Sequence, residues 1–156
     1  MKISSDEDKM ALERILIPLD GSVWSFRAAA RYAIKIARMA KAAIVCVHAV
    51  LNLPYVEYAY TGPLVRRYIE DSKSESQKWY DEVKAMADKA GVAILPSETL
   101  VNIPSAGDAI ISYAEKNNID LIIMGTKGRT GLKKFLLGSV ASGVISHAKC
   151  PVLVVR

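Results

Sequence analysis

Five short apolar runs, set apart by longer segments of helical period, leave this chain few architectures to choose from. The runs cover residues 15–20, 43–50, 92–95, 119–124 and 151–155, the third continuing irregularly to about residue 101. A brief apolar run bounded by turn residues fits a strand covered on both faces. Between the runs the period changes. Phe26, Ala29, Ala30, Ala33, Ile36, Ala37 and Ala40 recur at helical spacing, with Arg27, Arg31, Lys35 and Arg38 opposite. That predicts an amphipathic helix over Val23–Ala40, with Ser22 as its cap. A second, highly charged helix is expected over 64–90, with Tyr68, Trp79, Val83, Met86 and Ala90 on one face and Gly91 at its end. Pro104 opens a third, lined by Ala106, Ala109, Ile110, Tyr113 and Ala114 and stopped at Asn117 and Asn118. A short fourth covers 140–148, with Val144 and Ile145 inward. Strand and helix in alternation predict an α/β fold: a doubly wound, parallel five-stranded sheet in order 3-2-1-4-5 with helices on both faces.

Composition narrows the function classes. At 156 residues the chain reads as one domain over 13–156, preceded by a flexible tail over 1–12. With 51% hydrophobic and 24% charged residues it has the make-up of a soluble globular protein. No apolar run reaches the ~18–20 residues needed to span a bilayer. The polar, mixed-charge N-terminus is not a signal peptide, so a cytoplasmic protein without membrane contact is expected. The net charge of +5 is modest and its cations are dispersed, whereas a nucleic-acid binder carries a dense basic stripe. No nucleic-acid partner is therefore expected. Cys46 and Cys150 are too few and too far apart for a disulfide scaffold or a zinc site, and read as buried free thiols. His48 has no second histidine at ligand spacing and no nucleophile beside it. It reads as a hydrogen-bonded residue at the edge of a cleft.

The chemistry gathers in residues 121–140. An apolar run, Leu121-Ile122-Ile123-Met124, leads into Gly125, Gly128 and Gly131, then closes on Gly138-Ser139. These glycines let a ligand approach the main chain. Lys127, Arg129, Lys133 and Lys134 add positive charge. Ser139 is expected to cap the fourth helix, whose first N–H groups would face an anion. Ligands of doubly wound sheets bind at the carboxyl ends of strands, where the strand order reverses. Here the reversal brings residues 18–20 beside 124–128, with His48, Ala49 and Val50 adjacent. The Walker spacing of phosphoryl-transfer loops is absent, as is the Gly-x-Ser-x-Gly elbow of serine hydrolases. Residues 52–63, with three tyrosines and two prolines, form a long loop, a candidate lid or partner surface.

Gly125-x-x-Gly128, nine residues, then Gly138-Ser139, a short helix and Cys150-Pro151-Val152-Leu153-Val154-Val155 resemble the ATP-binding branch of the universal stress protein family. Pro18-Leu19-Asp20-Gly21-Ser22 and Val47-His48-Ala49 fit the same resemblance. It implies a Rossmann-like sheet, ATP or a related adenine nucleotide with Mg²⁺ carried by its phosphates, and a homodimer through Val152–Val155. Carried over, Asp20 would bond near the ribose or phosphates, and Pro18 and Ala49 would wall the adenine. Met124 and Gly125 would lie along the nucleoside. Gly128, Arg129, Gly138, Ser139 and Val140 would hold phosphates, mostly through backbone N–H groups. The expected function is a nucleotide-dependent switch or sensor in stress response with no catalytic residue. The alternatives are a slow ATP hydrolase or phosphotransferase, and an interaction module without nucleotide.

Overall fold

A computed structural model of the chain describes residues 11–51, 62–126 and 137–155, and only the backbone of residues 23–28 and 102. Five strands, β1 (Arg14–Pro18), β2 (Ala43–Leu51), β3 (Glu98–Ile103), β4 (Leu121–Gly125) and β5 (Val152–Val155), form one sheet in order β3-β2-β1-β4-β5. Every pairing is parallel. Four helices connect them: α1 (Val23–Ala40), α2 (Pro63–Ala90), α3 (Ala106–Lys116) and α4 (Ser139–His147).

Parallel strands buried on both faces divide the core by residue parity. Ile15, Ile17, Leu19, Ile44, Cys46 and Ile123 pack with Ala29, Ala33, Ala37, Tyr80, Val83 and Ala87, beneath α1 and α2. Leu16, Val45, Val47, Ile122 and Met124 pack with Ile110, Ala114, Ala141 and Val144, beneath α3 and α4. At the start of β1 and β4 the Asp120 carboxylate accepts from the Glu13 and Arg14 amides (2.9 and 2.8 Å). This cross-link joins segments more than 100 residues apart in sequence.

Several boundaries differ from the sequence reading. The third strand does not begin at Val92. Ile44 pairs with Ile94 in a single bridge, with its N–H on the Ala93 carbonyl (2.9 Å) and its carbonyl accepting from Leu95 (2.7 Å). Pro96 then interrupts the ladder, because it lacks a donor, and pairing resumes at Glu98. The first strand ends at Pro18 rather than Asp20, although the Leu19 amide still reaches the Val47 carbonyl (2.8 Å). The fourth begins at Leu121, since the Ile119 amide closes the end of α3 on the Ala114 carbonyl (2.9 Å). The third helix starts after Pro104, capped by the Ser105 hydroxyl. On α2 the buried stripe is Val65, Ser76, Tyr80, Val83 and Ala87, while Tyr68 is exposed. Ala40 and Ile145 face outward, where inward positions were expected. The tail residues 1–10 and loop residues 52–61 lie outside the described residues.

The two thiols differ. Cys46 is buried, and burial pushes its pKa from 9.0 up to about 12 against a hydrogen bond with Ser97. Cys150 is only partly buried, contrary to the sequence reading. At pH 8 a disulfide-exchange reagent is expected to titrate Cys150 in the folded protein and Cys46 only after unfolding. Between about pH 9 and 12 the unfolded Cys46 loses its proton while the folded one keeps it. Its contribution to stability is intact below pH 9 and is lost as pH rises through that window. Urea midpoints of the parent and Cys46→Val followed against pH check this, the variant having the shallower alkaline slope.

Candidate functional site

Residue parity also builds the site. Pro18, Ala49 and Met124 stand at the carboxyl ends of β1, β2 and β4 and share the parity of Leu16, Val47 and Ile122, which face α3 and α4. They floor a cavity of about 630 Å³. Its walls include Ala106 and Ile110 of α3, Val140 and Ala141 of α4, and Tyr68, Asp71, Ser72 and Glu75 of α2. All the expected site residues that fall in the described part line this one cavity: Pro18, Asp20, Ala49, Met124, Gly125, Gly138, Ser139 and Val140. Gly128 and Arg129 lie outside the described residues, as do Gly131, Lys127, Lys133 and Lys134.

The start of α4 differs from expectation. Gly138 is the cap and Ser139 the first helical residue; no side-chain cap bond forms. Glycine suits a cap where the chain runs close to its neighbour, and here the Gly138 amide donates to the Thr126 carbonyl at the end of β4 (2.9 Å). The first intrahelical bond runs from the Ser142 amide to the Gly138 carbonyl (2.9 Å). The amides of Ser139, Val140 and Ala141 therefore precede the helical ladder, and helix geometry supplies them with no partner inside α4. All three residues line the cavity. Partial positive charge thus gathers at this end.

The charged side chains of the lining are acidic. Asp20, Asp71 and Glu75 line the cavity, and no Lys or Arg stands among the described lining residues. Asp71 faces Arg67 at 3.9 Å, an exposed pair of little energetic weight. Asp20 is held in a tight turn: its Oδ1 accepts from the Ser22 amide (2.9 Å) and the Ser22 hydroxyl (2.7 Å). Ser22 is the cap of α1 by position, but its hydroxyl serves Asp20 rather than the helix. His48 is the hydrogen-bonded cleft residue that its sequence context indicated. Its Nδ1 lies 2.8 Å from the Leu19 carbonyl, which only accepts, so Nδ1 carries a proton.

The α2 wall was missed in the sequence. Tyr68, Asp71, Ser72 and Glu75 follow the i, i+3, i+4, i+7 spacing of one helical stripe. That spacing is a usable signal, but a charged stripe ordinarily faces water, and only the placement of α2 turns it toward the cavity.

The model of the universal stress protein family matches residues 11–156. The chain belongs to the universal stress protein family. It is similar to a universal stress protein of Methanocaldococcus jannaschii, 42% identical over 146 residues that cover 92% of this chain and 82% of the relative. The solved structure of the universal stress protein UspA from Lactobacillus plantarum superposes with a TM-score of 0.83 at 26% identity, covering 93% of this chain and 98% of that one. A universal stress protein from Archaeoglobus fulgidus, solved in complex with dAMP, superposes at 0.69 with 18% identity, covering 94% and 99%. That likeness shows the fold shared across the universal stress protein family.

Proposed function

We propose that the cleft binds an adenine nucleotide such as ATP, and that occupancy makes the chain a nucleotide-dependent switch in stress response. One observation carries this reading. Residues from six separate stretches of the chain converge on a cavity whose volume of about 630 Å³ lies within the range of small-molecule sites, ~300–1,000 Å³. The start of α4 offers helix amides to phosphates, and Pro18, Ala49 and Met124 offer an apolar surface to a purine. Asp20 accepts from ribose hydroxyls. Gly125 borders the nucleoside, while Gly138, Ser139 and Val140, joined by Gly128 and Arg129, receive the phosphates. Family membership and the dAMP complex of the Archaeoglobus fulgidus protein support the same class of ligand.

Magnitudes set the expected affinity. Each hydrogen bond to a charged group contributes about 1.5–3 kcal/mol. Three or four of these, with a buried purine, must exceed association costs of about 4–15 kcal/mol. Micromolar binding lies within that balance and is the affinity we expect. ATP would bring Mg²⁺ on its own phosphates; among the described residues no group of three His, Cys, Asp or Glu side chains could hold a metal ion. No described helix is long and apolar enough to cross a membrane, in keeping with the cytoplasmic location we assign.

The same reading includes a homodimer. β5, Val152–Val155, is an edge strand of four apolar residues, three of them only partly buried. An apolar edge invites pairing with a second copy. Light scattering after size exclusion is expected to give a dimer at micromolar concentration; a monomer under those conditions removes this element.

The nucleotide reading is tested on freshly purified protein, denatured and assayed by mass spectrometry. An adenine nucleotide released in near-stoichiometric amount supports it. A folded preparation that releases none, and takes up none of ATP, ADP or AMP on dialysis, overturns it.

A further inference from the structure

Trp79 is not among the described residues that line the cavity, yet it touches His48, which does, and covers Gly21, the neighbour of the lining residue Asp20. It lies on α2 between two anchors. On one side the buried Ser76 hydroxyl bonds the Lys73 carbonyl (3.0 Å) and the Thr99 hydroxyl (2.7 Å). On the other, the Tyr80 hydroxyl donates to the Glu98 carbonyl (2.8 Å). These bonds tie α2 to β3 within a turn of the indole, so the ring has little freedom. Its edge meets the His48 ring at 5.0 Å and 86°, and His48 is itself fastened to the Leu19 carbonyl. The six-membered ring also covers Gly21. A Cβ built there would lie 2.3 Å from Cζ2 and 2.6 Å from Cη2 of Trp79.

Gly21 has φ +76°, a conformation that L side chains rarely adopt. It joins Asp20 to Ser22 in the turn that aims the Asp20 carboxylate at the cavity. Two constraints therefore meet at one glycine. The turn needs a positive φ, and the indole occupies the space a side chain would take.

We infer that Trp79 is a positioning residue for nucleotide binding: by covering Gly21 and buttressing His48 it holds the Asp20–Ser22 turn in its binding shape. The inference rests on the nucleotide reading of the cleft. Trp79 acts through the turn and makes no contact with the ligand. A substitution that loosens the indole lets the turn fluctuate. The carboxylate of Asp20 then has to be ordered at the moment of binding, which lowers affinity.

The test uses the full chain and four proteins: the parent, Trp79→Phe, Gly21→Ala and the double variant. ATP affinity is measured by calorimetry, and hydrogen exchange of the Ser22 amide by NMR. Phenylalanine lacks the benzo ring above Gly21. Trp79→Phe is expected to weaken ATP binding and to speed Ser22 exchange, each by about 10-fold, within the range of couplings between touching residues. Gly21→Ala is expected to lose more, from both φ strain and the clash. The double variant is expected to bind ATP better than Gly21→Ala alone, because the clash is relieved and only the φ strain remains. An indole that merely packed would lower the unfolding midpoint and leave Ser22 exchange and ATP affinity where they were. That outcome overturns the inference, as does strict additivity of the two substitutions. A parent protein that takes no adenine nucleotide overturns the reading instead, and the exchange measurements alone then decide whether Trp79 holds the turn.

Discussion

Titration of Ala49→Phe with ATP is expected to show affinity lowered by roughly 100-fold or more, with the fold intact. Ala49 floors the cavity between the ends of β1 and β3, on the side facing α3 and α4. A phenyl ring there stands where we place the purine. Losing about 120 Å² of apolar contact costs about 3 kcal/mol at ~25 cal/mol per Å², which is a factor of roughly 100 in Kd. The cavity opens above the ring, so the added bulk is accommodated without repacking the core. Far-ultraviolet circular dichroism and the urea midpoint are expected to stay close to the parent values. Full affinity in this variant would remove the purine from the floor of the cleft.

Ile122→Ala is expected to show the opposite pattern: a large loss of stability and a small change in ATP affinity. Ile122 is fully buried in β4, paired with Leu16 on one side and Val152 on the other. Its side chain joins Leu16, Ile110 and Val144 in the core beneath α3 and α4. Cutting a buried isoleucine to alanine costs about 2–5 kcal/mol, because the cavity left behind collapses only in part. For a chain of this size each kcal/mol moves the midpoint by about 2–4 °C. Thermal unfolding followed by circular dichroism reads the loss. Together with Ala49→Phe this separates what holds the sheet from what the sheet holds.

Much of the architecture was legible because burial on both faces writes central strands as apolar runs. The runs at 15–20, 43–50 and 119–124 became β1, β2 and β4 to within two residues. The edge strand β3 was legible only in part: the irregular continuation to about residue 101 covers residues 98–101. Its residues, Glu98-Thr99-Leu100-Val101-Asn102-Ile103, include polar ones, and Thr99 and the Glu98 carbonyl bond to Ser76 and Tyr80 of α2. The more apolar Val92-Ala93-Ile94-Leu95 drew the start of the strand too early, and Pro96 holds that stretch to a single bridge. The cap of α4 was ambiguous because Gly138 and Ser139 are both acceptable caps; the bond from the Gly138 amide to Thr126 decides between them.

The site was legible where it follows from topology. Residues 18–20, 49 and 124–125 meet because strand order reverses between β1 and β4. The α2 wall and the Trp79 contact were not legible. They depend on how a 28-residue helix lies across the end of the sheet: its apolar stripe marks the core side through Val83, but a charged stripe ordinarily reads as facing water. Gly21 and Trp79 are far apart in the chain, and their contact exists only once α2 is pinned to β3 through Ser76 and Tyr80.

Isothermal titration of the full-length protein with ATP tests the account most directly. The cleft as described predicts saturable heat, one nucleotide per chain, and a Kd in the micromolar range, about −8 kcal/mol. A folded protein giving no heat and no saturation with ATP, ADP or AMP would contradict it.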